Sequence, residues 1–99
     1  MPDSSSAIKI AEFLRRVESP QDWIDSAPAI VAAAFVRNLD PGLIVAVMGA
    51  ESQSAVRYPA STHNPFGILN GGVVHRFSSN DAAIRSVAAT LERSVHTYH

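Results

Sequence analysis

Apolar residues in this chain recur mostly at helical intervals. Ile10, Phe13, Leu14 and Val17 lie three and four apart, which predicts a first helix ending near Glu18. The polar residues 1–6 before it read as a flexible tail. Ser19, Pro20 and Asp22 mark the next start: a cap, a first-turn proline and an acid at the positive end of the helix dipole. Pro28 interrupts that helix or begins another, with Ser26 as its expected cap. The stretch from Ala29 to Arg37 is dense in Ala, Ile, Val and Phe and predicts a close-packed helix. Asp40 and Pro41 repeat the cap-and-proline signal ahead of a run that is apolar nearly all round as far as Ala50. A helix without a polar face is expected in the middle of a domain.

The pattern changes after Ser52. Residues 57–65 hold two prolines and several small polar residues, and read as a loop. The stretch "FGILNGGVVHRF" then predicts a tight hairpin, turning at Asn70-Gly71 or Gly71-Gly72. The "SSND" that follows is a cap cluster, and Ile84, Val87, Ala88, Leu91 and Val95 form the apolar face of a last helix. The expected architecture is mainly α, with a short β-hairpin before the last helix. Residues 1–99 make one domain, with no repeat, heptad run or linker.

Ninety-nine residues suffice for one compact core. A formal net charge of −1 argues against binding nucleic acid or an anionic membrane by electrostatics. Without cysteine there is neither a disulfide framework nor thiol chemistry. The start lacks a signal-peptide run and the longest apolar run is too short to cross a bilayer, so no membrane insertion is expected.

Glu51 then stands out, an acid in the last turn of the most apolar helix. Desolvation and the negative end of the helix dipole would both favour its protonated form. A carboxylic acid that keeps its proton near neutral pH can protonate a leaving oxygen. The competing reading is an ordinary Glu facing water at a helix end.

The stretch "MGAESQSAVRYPASTHNPFGI" resembles the core of the lysozyme-like superfamily, closest to bacterial glucosaminidases and flagellar muramidases. Those proteins carry a helix ending in Glu-Ser, a loop of about a dozen residues, and Asn-x-Phe-Gly-Ile; here Glu51-Ser52 precedes Asn64-Pro65-Phe66-Gly67-Ile68. The likeness runs from about Asp40 to the C-terminus. It implies cleavage of peptidoglycan at β-1,4 bonds between GlcNAc and MurNAc, with Glu51 as general acid. It also implies a sugar groove touched by Ser52, Asn64, Phe66 and Gly67. Gly67 would let backbone approach the ligand. Asn64 offers an amide to sugar but is equally a turn residue before Pro65, and Phe66 reads more readily as core. Tyr58 is a possible sugar platform. Tyr98 is the candidate for an aromatic hydroxyl that the family carries beyond the last helix.

Three features depart from that pattern. No Asp or Glu occurs between Ser52 and Asn80, although glycoside hydrolysis usually takes two carboxylates. Asp40 lies roughly 16 Å from Glu51 along the helix, and Asp81 reads as first-turn helix chemistry. Either one carboxylate does the work, as in lytic transglycosylases, or the groove only binds. The glycine that many relatives have shortly after Glu-Ser is missing, its place taken by Gln53, Ser54 and Ala55. The chain also stops one residue after Tyr98. Among other chemistries, His96 and His99 have a zinc-compatible spacing without an evident third ligand, so no metal and no cofactor is expected. His63 and His75 flank the groove and either touch sugar or are surface residues. Ser52 has no evident His partner for serine hydrolysis. The expected partner is a peptidoglycan glycan strand and the expected place of action the bacterial cell wall. The alternative is a non-catalytic wall-binding or scaffolding module.

Overall fold

The computed structural model describes the backbone of residues 4–97 and the side chains of residues 5–95. Five helices, α1 (Ser4–Arg16), α2 (Gln21–Ile24), α3 (Ala27–Val36), α4 (Pro41–Ser52) and α5 (Asn80–Thr97), surround one core. A two-stranded antiparallel hairpin, β1 (Leu69–Asn70) and β2 (Val73–Val74), precedes α5 and pairs Leu69 with Val74 and Asn70 with Val73. Gly71 and Gly72 make its turn with φ of 61° and 81°, the positive values a two-residue hairpin turn requires. The predicted fold class, mainly α with a hairpin before the last helix, is the one observed. Among the described residues no helix is long and apolar enough to cross a membrane.

Local details differ from the pattern. Ser4–Ser6 belong to α1 and not to a tail. Only Leu14 of the predicted α1 stripe is fully buried, while Phe13 and Val17 remain exposed. Ser19 does not cap α2; its hydroxyl donates to the carbonyl of Ser54 at 2.7 Å. Ser26 flanks α3 without capping it, because its hydroxyl donates back to the carbonyl of Asp22. Asp40 does cap α4, accepting from the Gly42 N–H at 2.8 Å.

The larger correction concerns α4. It is not the encased centre of the domain. Only Ile44, Met48 and Ser52 of α4 are buried, one stripe at four-residue intervals, and Leu43, Ala46, Ala50 and Glu51 face outward. The helix that packs against α1, α4 and α5 is α3. Small alanines explain this, because helix axes can approach closely where side chains are short. Trp23 sits fully buried at the core, its ring edge-on to Phe66 with centroids 5.6 Å apart. An indole covering roughly 150–250 Å² stabilises the fold by about 4–6 kcal/mol by area alone.

Candidate functional site

The site is built where α4 stops. Gln53, Ser54 and Ala55 all have positive φ, at 51°, 58° and 69°. Such a left-handed turn costs non-glycine residues roughly 1–2 kcal/mol each. Hydrogen bonds offset the cost. The N–H groups of Gln53 and Ser54 donate to the carbonyls of Gly49 and Met48, both at 3.1 Å. The Ser52 hydroxyl donates to Met48 O and accepts from Ala55 N, each at 3.0 Å. The Ser19 hydroxyl holds the Ser54 carbonyl from across the core. The missing glycine therefore leaves the left-handed geometry in place, and residues with side chains bear the strain. Ser52 is buried and both roles of its hydroxyl are taken, so it closes the helix and does not face a groove.

The loop that follows is held from within. Residues 60–62 form a single 3-10 turn, in which the Thr62 hydroxyl donates to Pro59 O and accepts from Asn64 N. Asn64 is buried. Its amide donates to the carbonyls of Ile68 and His75, both at 2.8 Å, and accepts from Ile68 N at 3.1 Å. An amide with both donors spent on backbone has none left for sugar, so Asn64 braces the loop against the base of the hairpin. Phe66 is likewise core. His75 stacks edge-on with Phe77 at 4.5 Å.

Gly67 has φ of 69°, and its Cα lies directly under the Glu51 carboxylate. A Cβ added there would stand 2.7 Å from Glu51 Oε2 and 3.2 Å from Cδ, closer than real Cβ atoms approach. The loop thus sets the two halves of the sequence motif against each other, and only glycine fits both the dihedral and the space. Glu51 itself is exposed, with no hydrogen-bond or ion-pair partner among the described residues. This overturns the expectation of a desolvated acid at the end of a central helix. The buried stripe of α4 runs through positions 44, 48 and 52, and residue 51 lies about 60° round the helix from its centre, on the exposed side.

Tyr58 is half-buried, and its hydroxyl accepts the Trp23 indole N–H at 2.7 Å. Burial pushes its phenol above the ordinary range, the indole bond works against that, and the Asp22 charge adds to it. Beside it runs a polar chain that sequence reasoning missed. Asn80 donates to Asp22 Oδ2 at 3.0 Å, so its oxygen is left to accept from His63 Nδ1 at 2.8 Å. These bonds join α2, the loop and α5. The one signal was Asn80 within the cap cluster; no spacing rule brings Asp22 to His63. Tyr98 and His99 lie outside the described residues, as does the His96 side chain.

No family model, no curated protein and no solved structure matches this chain.

Proposed function

We propose that the domain cleaves peptidoglycan glycan strands at β-1,4 bonds between GlcNAc and MurNAc, with Glu51 as the general acid. The observation that carries this reading is the contact of the Glu51 carboxylate with the bare face of Gly67. A carboxyl group open to solvent beside a backbone without a side chain can be reached by a polymer too large for an enclosed pocket. A sugar ring laid against the Glu51 carboxylate would displace water from it and bring the glycosidic oxygen within reach of the acid. Glu51 then gives its proton to the glycosidic oxygen as the C1–O bond breaks. With no second acid between Ser52 and Asn80, the Glu51 carboxylate takes back a proton from the sugar's own C6 hydroxyl, whose oxygen bonds to C1. Atoms balance, Glu51 is regenerated, and the product carries an anhydro end. Tyr58, whose phenol keeps its proton to donate, is the side chain nearest in role to a sugar platform.

The exposure of Glu51 and its lack of a partner acid favour a second reading, a wall-binding module without catalysis. Digestion of purified peptidoglycan, with product masses, separates the readings. Anhydro ends that vanish in Glu51→Gln support the proposal as written. Reducing ends lost in the same variant keep Glu51 as the acid but require a water-activating base. Retention on peptidoglycan without products selects the binding module, and a folded Glu51→Gln that cleaves at the parent rate removes Glu51 from the chemistry.

A further inference from the structure

On a face that shares no lining residue with Glu51, α3 and α5 flank a half-open cavity of about 300 Å³. Its floor is Ala29, Ala32 and Ala33 from α3 with Ile84 from α5, and Asp81 and Arg85 stand on its rim. The space exists because the alanines end at Cβ where larger residues would fill the gap. A row of alanines would by itself mean only close helix packing. The two rim charges say more. Asp81 and Arg85 are one turn apart, about 6 Å along the axis, a spacing at which opposite charges commonly pair. Yet neither side chain has an ion pair or a hydrogen bond among the described residues, and both are exposed and free to meet a ligand. Arg37, which also lines the cavity, is held by Glu92 at 2.9 Å and makes no ion pair with Asp81.

We propose that this cavity binds a short peptide of small apolar residues. Arg85 takes its terminal carboxylate, Asp81 takes an N–H or ammonium group, and the methyl groups rest on the alanine floor. A wholly apolar ligand would strip water from the two exposed charges and offer no partner in return. A phosphorylated one would meet Asp81 and make no use of the floor. The volume lies at the small end of ligand sites, which suits two residues and not a protein helix. Such a peptide could arrive free or as the stem carried by MurNAc. In the second case the cavity reads the peptide of the same polymer whose sugar meets Glu51.

The test is an NMR titration of the full chain with alanyl-alanine of L and D configuration, each also with its carboxylate amidated. Saturable shifts confined to the amides of Ala29, Ala32, Ala33, Ile84 and their neighbours are expected. Amidation, Arg85→Gln and Asp81→Asn should each weaken binding about tenfold while the helical spectrum stays intact. Ala33→Leu, which fills the floor, should abolish it. A muramyl dipeptide binding more tightly than the free dipeptides identifies the stem as the source; equal or weaker binding identifies free peptide. Absence of saturable shifts, shifts elsewhere, or affinities unchanged in the two charge variants would overturn the proposal. Glu51→Gln should bind these peptides as the parent does, so failure of the glycan reading and failure of this one are separable.

Discussion

Around Trp23 the chain is held by apolar contact, whereas between Ser52 and Phe77 it is held by buried polar side chains bonded to backbone. The first region tolerates an approximate fit. Leu14, Ile30, Ile44, Met48 and Ile84 are fully buried and none directs a hydrogen bond. The second region has little to bury. Both hairpin strands are exposed, and the loop has one turn of 3-10 helix. Ser52, Thr62 and Asn64 supply the direction that apolar burial lacks. Hydrogen bonds fix atoms to tenths of an ångström, and the loop needs that precision to place Gly67 beneath Glu51.

The contrast can be broken at several points. Trp23→Ala should destabilise the whole domain by about 3–5 kcal/mol, since it leaves a cavity and strips Tyr58 of its donor. Urea denaturation should show one cooperative shift. Asn64→Ala should cost less, about 1–3 kcal/mol, because it orphans the carbonyl of His75 and the N–H of Ile68 without opening the helical core. Hydrogen exchange should accelerate in residues 62–77 while α1, α3 and α5 keep their protection. Equal acceleration throughout would mean that the two regions are one. Gln53→Gly should go the other way, stabilising by about 1 kcal/mol, because its side chain is exposed and its φ is left-handed. A melting temperature raised by roughly 4–8 °C is the expected sign.

How much of this was legible follows the same division. Helical periodicity, the Asp40-Pro41 start and the Gly71-Gly72 turn gave the helices and the hairpin, because each is a local rule. Periodicity misjudged α4, since an apolar face can be left open to solvent, and that error gave Glu51 a desolvation it does not have. Ser19 and Ser26 looked like caps because serine before a helix usually is one; a carbonyl 35 residues away won the first. The meeting of Asn80 with Asp22 and His63 had no signal beyond Asn80's place in the cap cluster, because the three are distant in sequence. Gly67 was readable as a close-approach glycine, but only the fold says that Glu51 is what approaches.

The proposed chemistry depends most heavily on the Glu51 carboxylate resting on the side-chain-free face of Gly67. Gly67→Ala puts a methyl carbon where the Glu51 carboxylate now lies, and costs a further 1–2 kcal/mol for its left-handed backbone. Release of soluble fragments from peptidoglycan, measured on this variant once its fold is verified, should fall about 100-fold or more, because small displacements of a catalytic group have effects of that size. A folded Gly67→Ala protein releasing fragments at the parent rate would contradict the account.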